Sequence, residues 1–295
     1  MHHMGNMMIF MWVPFLILAV LILALAIYFL RSANPKSLLV TDIASTFPNK
    51  WKPFEKIGDG TAAEASLHET IFILPDISHY TRFMTGSHFS FSHAQEIVFS
   101  LINAMIKASN SKIHLSKLEG DAALFYVDAD TLRAEQVGEV VFDIFGAFFS
   151  ERKRLMNSNI CPCKACRHIS DLDLKIFVHR GRASRFEFRG SVDHFGTDVI
   201  ILHRLMKNNV AGSRYIMTTE ESANCISVPG NPAPVEIEET AEGIGTVRAR
   251  VYEIGDDLVK QLENRVPSVA PNVASETAKK LSFNVRTLIN SMLRR

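Results

Sequence analysis

Ile71-Phe72-Ile73-Leu74-Pro75-Asp76-Ile77-Ser78-His79-Tyr80-Thr81 is an apolar run closed by an acid. Aliphatic and aromatic residues ended by Pro and Asp read as a buried strand. An acid at such an end, beside a turn residue, points at a site rather than into the core. A second stretch repeats the logic. Lys117-Leu118-Glu119-Gly120-Asp121 leads into Ala122-Ala123-Leu124-Phe125-Tyr126-Val127. Residues 113–115 and 122–127 therefore read as two strands of a hairpin that turns at Glu119-Gly120. Two carboxylates on neighbouring strands repel unless a cation lies between them, and hard oxygen donors suit Mg²⁺ or Mn²⁺. The plainer reading makes Asp76 and Asp121 ordinary turn residues.

Outward from these strands, residues 92–109 repeat apolar side chains at Ile97, Leu101, Ile102 and Met105, the helical period. Residues 132–155 form a second helix with Val137, Val140, Val141, Ile144 and Phe148 on its apolar face. Strands are expected at 172–179, 186–188, 215–217, 235–237 and 247–254, with helices at 197–208 and 219–223. A β-α-β-β-α-β order with appended strands is the split βαβ, ferredoxin-like arrangement, an α+β sandwich of helices on one sheet.

The chain has 295 residues with Lys+Arg 32 against Asp+Glu 31, so no global field exists to attract nucleic acid. Residues 7–30 carry no charge. At about 1.5 Å per residue they match the roughly 30 Å hydrocarbon core and read as a single transmembrane helix. No Lys or Arg precedes the run, which argues against a cleaved signal peptide. Arg31, Lys36, Lys50 and Lys52 follow it and mark the cytoplasmic flank. The expectation is a single-pass protein of the cytoplasmic membrane with its C-terminal domain in the cytoplasm. The layout is an anchor at 1–31, a Pro- and Gly-bearing linker at 32–68, a domain at 69–256 and a basic amphipathic tail at 257–295. In the tail, Leu281, Val285, Leu288, Ile289 and Met292 share one helix face. That face packs on the domain, on a partner, or on an anionic membrane surface.

An insert at 156–170 contains Cys161-Pro162-Cys163-Lys164-Ala165-Cys166-Arg167-His168. In a cytoplasmic domain such spacing favours metal over a disulfide. Zinc takes four N/S ligands in a tetrahedron, which Cys161, Cys163, Cys166 and His168 supply within one loop. Cys225 and His179 are remote alternatives for the fourth place, and unliganded reduced thiols are the other reading.

These motifs together resemble the catalytic domain of class III nucleotidyl (adenylate/guanylate) cyclases, across residues 69–255. Asp76-Ile77-Ser78-His79-Tyr80-Thr81 is similar to that family's first metal motif, Asp-Ile-Ser-Gly-Phe-Thr, and Lys117-Leu118-Glu119-Gly120-Asp121 to its second. Val178-His179-Arg180-Gly181 resembles its central strand, and Phe195-Gly196-Thr197-Asp198-Val199 the turn into its dimer-face helix. The chain also resembles a bacterial branch of the superfamily that bears the Cys-rich insert. The resemblance implies that Asp76 and Asp121 hold two Mg²⁺ or Mn²⁺ ions, which grip a triphosphate and activate the ribose 3′-hydroxyl. It implies Lys117 and Asp193 as the pair that reads adenine, Arg204 as the group that neutralises developing phosphate charge, and a homodimer that completes the site.

Two places depart from the pattern. Ile200 stands where the family has an Asn, one helical turn before Arg204, and residues 236–246 contain no Lys or Arg for the triphosphate. Losing one preorganised donor typically costs ~10²–10³ in kcat. Two functions of different classes follow: an enzyme making cyclic AMP from ATP, or a degenerate nucleotide-sensing or scaffolding module in signal transduction. The intact acids favour the first, and Ile200 with the missing Lys favours the second.

Overall fold

The computed structural model describes residues 67–266, apart from 88–90, 110, 159–160, 189–190, 230–232 and 242. The expected transmembrane segment at 7–30 and the amphipathic tail helix from 275 onward lie outside these residues. Among the described residues, no helix is long and apolar enough to cross a membrane.

Among the described residues, eight strands form one sheet. In chain order they are β1 (Leu67–Ser78), β2 (His114–Glu119), β3 (Ala122–Asp128), β4 (Asp173–Phe188), β5 (Ser191–Phe195), β6 (Tyr215–Thr219), β7 (Val235–Ala241) and β8 (Gly245–Glu253). Their order across the sheet is β2-β3-β1-β4-β6-β8-β7, and β5 pairs with β4 off this path. β4 and β6 run parallel, whereas the other pairs are antiparallel. The helices are α1 (Tyr80–Gly86), α2 (Phe91–Ala108), α3 (Ala134–Asn157), α4 (Lys164–Arg167), α5 (Thr197–Leu205) and α6 (Asp256–Glu263). The fold is α+β, with the expected split βαβ strand arrangement at its centre.

Side-chain alternation assigns the two faces. Along β1, Ile71, Ile73 and Ile77 point into one core and Phe72 and Leu74 into the other; β3 divides Ala123, Phe125 and Val127 from Ala122, Leu124 and Tyr126 in the same way. The first core is closed by α2, α3 and α6, whose Leu101, Met105, Phe145, Phe148 and Leu262 are buried there. The second is closed by α5, through Val199, Leu202 and Leu205. A strand buried on both faces reads as a continuous apolar run, which is how β1 and β3 appear in the sequence.

The elements differ from expectation in four places. Residues 186–188 are the far end of β4 rather than a separate strand. β1 continues two residues past Asp76 to Ser78. The short helix expected at 219–223 is a 3₁₀ helix, Glu220–Cys225. The elements α1, β5 and α6 had no clear period in the sequence.

Two motifs that lie apart in sequence meet where α5 begins. Asp198 accepts hydrogen bonds from the Arg182 backbone N–H at 2.7 Å and from His179 Nε2 at 3.0 Å. The other His179 nitrogen, Nδ1, lies 2.8 Å from the Thr219 hydroxyl, so the imidazole bridges α5, β4 and β6. Holding the proton of His179 against Asp198, together with the Arg182 amide, keeps the Asp198 carboxyl below its ordinary range. Gly181 is the reason the approach is possible: a Cβ there would sit 2.2 Å from Asp198 Cγ. Replacing Gly181 with Ala must push α5 off the sheet. We expect Gly181→Ala to destabilise the domain by about 2–3 kcal/mol in chemical denaturation. An unchanged midpoint would mean that α5 is not held through this contact.

Candidate functional site

Asp76 and Asp121 come together because β1 and β3 are neighbours. Asp76 pairs in register with Ala122, the residue after Asp121, and the Ile77 amide donates to Asp121 O at 3.4 Å. The hairpin turn that presents Asp121 needs Gly120, whose φ is 68°. Both carboxylates are half-buried. Burial pushes Asp76 up, opposed by Lys175, which faces it across the β1–β4 ladder. Burial and the charge of Asp76 push Asp121 up from its ordinary 3.8 to about 6. Two half-desolvated acids, one of which raises the proton affinity of the other, favour a cation between them. Carboxylate oxygens of this kind fit Mg²⁺ or Mn²⁺.

The segment after Asp76 takes a bent path. His79 adopts a left-handed conformation, φ 65°, at the position where the resembled motif has Gly. Among non-Gly residues His tolerates this region better than most. Its ring is not free at the surface: Nδ1 donates to the Asp171 backbone carbonyl at 2.8 Å.

Lys117 and Asp193 also meet, through a bulge. The β2–β3 register shifts between Leu115 and Lys117, and the Ser116 hydroxyl in the bulge donates to Val192 O on β5 at 2.8 Å. Bulges re-aim side chains. Here Lys117 Nζ reaches 3.2 Å from Asp193 Oδ1 and 3.1 Å from Glu119 Oε1, and His203 Nδ1 lies 3.3 Å from the other Glu119 oxygen. Burial works to lower the Lys117 pKa, but the two carboxylates outweigh it and the net shift is upward. Glu119 is the member of this string that the sequence reading did not single out. It was visible only as part of the hairpin turn.

His194, beside Asp193, is a packing residue. It lies between Phe72 and Tyr126, with ring centroids 5.3 and 4.3 Å away. Burial, reinforced by Arg185, lowers its pKa to about 4, so it stays neutral at ordinary pH.

On α5, Val199, Leu202 and Leu205 face the sheet, which leaves Ile200 and Arg204 one turn apart on the outer face. Ile200 is 51% exposed. β7 carries Glu236, Glu238 and Glu239, and the nearby cations Arg248 and Arg250 on β8 already pair with Glu238 and Glu236. No Lys or Arg of residues 236–246 is available to a triphosphate.

The insert resolves differently from expectation. None of the four cysteines forms a disulfide. His168 does not join the sulfurs: it is exposed, and its Nδ1 donates to Asp171 Oδ2 at 2.8 Å. The imidazole among the three sulfurs belongs to His93, on the buried side of α2. Its Nδ1 lies 3.6 Å from Cys161 Sγ, 3.4 Å from Cys163 Sγ and 3.7 Å from Cys166 Sγ. Cys225 and His179 lie outside this group, in which all four ligand atoms are within 4.8 Å of one another. Such a group could hold a structural metal.

Residues 98–215 match the family described as "Protein of unknown function (DUF2652)". Over 154 residues the chain is 29% identical to "Uncharacterized protein Rv2561/Rv2562" of Mycobacterium tuberculosis (strain ATCC 25618 / H37Rv), which covers 52% of this chain and 72% of that protein. Among solved structures, the guanylyl cyclase Cya2 superposes over 65% of this chain and 95% of its own, with a TM-score of 0.50 at 13% identity. The adenylyl cyclase CyaB from P. aeruginosa covers 65% and 97%, with a TM-score of 0.43 at 13% identity. The described domain therefore has the fold of a class III adenylyl/guanylyl cyclase catalytic domain.

Proposed function

We propose that this domain binds a purine nucleoside triphosphate with two Mg²⁺ or Mn²⁺ ions at Asp76 and Asp121, in a homodimer. The observation that carries this reading is the acid pair itself. Two half-buried carboxylates, both pushed up by burial and one of them also by the charge of the other, gain most when divalent cations replace the protons. Lys117 and Asp193 support adenine as the base, since an ammonium donor beside a carboxylate acceptor matches N1 and N6. In the cyclase reaction the 3′-hydroxyl oxygen bonds to the α-phosphorus, the bond to the β-phosphate oxygen breaks, and pyrophosphate leaves as the hydroxyl proton passes to solvent. Metals held by Asp76 and Asp121 would supply nucleophile activation and charge neutralisation.

Turnover is the weak link of the set. Ile200 offers no hydrogen bond to the ribose, and Arg204 is left as the one member of its pair able to contact a ligand. We infer that ATP is bound and that cyclic AMP forms slowly or not at all. The acidic, cation-poor stretch at 236–246 favours the second reading, a nucleotide-sensing or scaffolding module. The uncharged run at 7–30 supports a membrane-tethered form of either.

The direct test incubates purified full-length protein with ATP or GTP and Mn²⁺, and follows both thermal stabilisation and cyclic product. We expect a Tm increase with ATP and Mn²⁺ together, lost in Asp76→Ala and in Asp121→Ala. Absence of any nucleotide-dependent shift rejects both readings of the site. Ile200→Asn should raise the residual cyclase rate by roughly ten- to a thousand-fold, and Asp121→Ala in the same chain should cancel the gain. Robust wild-type turnover would show that another group replaces the missing donor.

The acid pair also sets a pH dependence. The folded pKa of Asp121, about 6, lies above its ordinary 3.8, so the folded state holds the proton more tightly. By linkage, the contribution of this group to stability is present at low pH and is lost as pH rises through about 6. Metal-free protein should therefore melt at a lower temperature at pH 7 than at pH 5 on this account. Asp121→Asn should raise the metal-free Tm at pH 7 and remove the response to Mn²⁺. A lower Tm for Asp121→Asn at pH 7 would contradict the electrostatic assignment.

A further inference from the structure

We propose that His93, Cys161, Cys163 and Cys166 form a closed structural zinc site that fastens the Cys-rich insert to α2. The proposal stands apart from the nucleotide reading and rests on the geometry around one nitrogen. Nδ1 of a neutral imidazole has either one proton or one lone pair to offer. It cannot make three hydrogen bonds at once. Yet three sulfurs surround the Nδ1 of His93 at 3.4, 3.6 and 3.7 Å. With Zn–N near 2.0–2.1 Å and Zn–S near 2.3 Å, the N···S edge of a zinc tetrahedron is about 3.6 Å. The three N···S distances match that edge, and all four ligand atoms lie within 4.8 Å of one another.

The donor set selects the metal. Three thiolates and one imidazole in a tetrahedron are a structural zinc set, and four protein ligands leave no open position for catalysis. Coordination also needs ionised sulfur. The Cys166 backbone N–H, 3.5 Å from Cys163 Sγ, would stabilise the bound thiolate.

The placement of the ligands says what the ion would hold. His93 enters from the first turn of α2, 68 to 73 residues away from the three cysteines. The Ile169–Asp171 turn, directly after the cysteines, reaches across to the segment beyond Asp76. There Asp171 receives His79 Nδ1 on its carbonyl and Arg82 on its carboxylate at 3.5 Å. Together the insert and α1 line an open pocket of about 280 Å³, with Lys164 and His168 on one side and His79 and Arg82 on the other. A bound zinc would thus fix one wall of that pocket and the left-handed turn at His79.

The test measures metal in full-length protein purified without chelator. We expect one zinc per chain in the wild type, loss of most of it in Cys163→Ser and His93→Ala, and full retention in His168→Ala. His93→Cys should keep the zinc through a fourth thiolate, which separates loss of a ligand from simple misfolding. Stripping the ion with a strong chelator should lower the Tm by roughly 5–15 °C. The proposal is overturned by metal-free native protein whose Cys161 and Cys163 react freely, or by zinc that follows His168 rather than His93. Iron with the visible absorbance of a cluster would equally exclude it.

Discussion

Every residue of β1, from Leu67 to Ser78, is paired with β4, from Ser184 back to Asp173. The rest of the domain is arranged around this ladder. On its far side β1 also holds β3, and β4 holds both β5 and β6, so three further strands take their register directly from it. Side chains alternate between two buried faces, and a slip of one residue would exchange the Ile71–Ile73 face with the Phe72–Leu74 face. Both faces are fully packed, which makes such a slip prohibitive. The ladder therefore fixes Asp76 opposite Lys175 and places His179 and Gly181 where the start of α5 can dock on them.

From that constraint the charged groups follow in two separate clusters. Asp76 and Asp121 are acids with too little positive charge near them, held together by the β1–β3 pairing. Lys117, by contrast, has an excess of carboxylate around it, from Glu119 and Asp193. The first cluster wants a cation, whereas the second is already neutralised from within. Under the proposed function, metal grip and base contact would be separate tasks on separate strands.

Much of this was legible in the sequence. β1 and β3 announced themselves because burial on both faces leaves no room for polar residues. The hairpin was legible from Gly120, and α2 and α3 from a strict helical period. Other elements were not, for definable reasons. α1 has seven residues, too few to show a period, and β5 mixes polar and apolar residues at a sheet edge. The break assumed between 179 and 186 vanished because β4 stays paired with β1 through its polar stretch. Lys117 and Asp193 were brought together by family resemblance, and the bulge at Ser116 that joins them leaves no trace in hydropathy. His93 was the deepest omission. It sits among the apolar positions of a helix some seventy residues from the cysteines, and nearness along the chain favoured His168 instead.

The string of His203, Glu119, Lys117 and Asp193 bears on how quickly a nucleotide could arrive. Electrostatic steering of an anion needs an uncompensated positive field that extends beyond the contact shell. Lys117 has none to project, because two carboxylates cancel it at about 3 Å, and the whole chain carries a net charge of only +1. Encounter would then be governed by unassisted diffusion and by the time Lys117 takes to exchange a carboxylate for a base. Ionic strength would hardly alter the association rate, and discrimination among nucleotides would reside in how long each one stays.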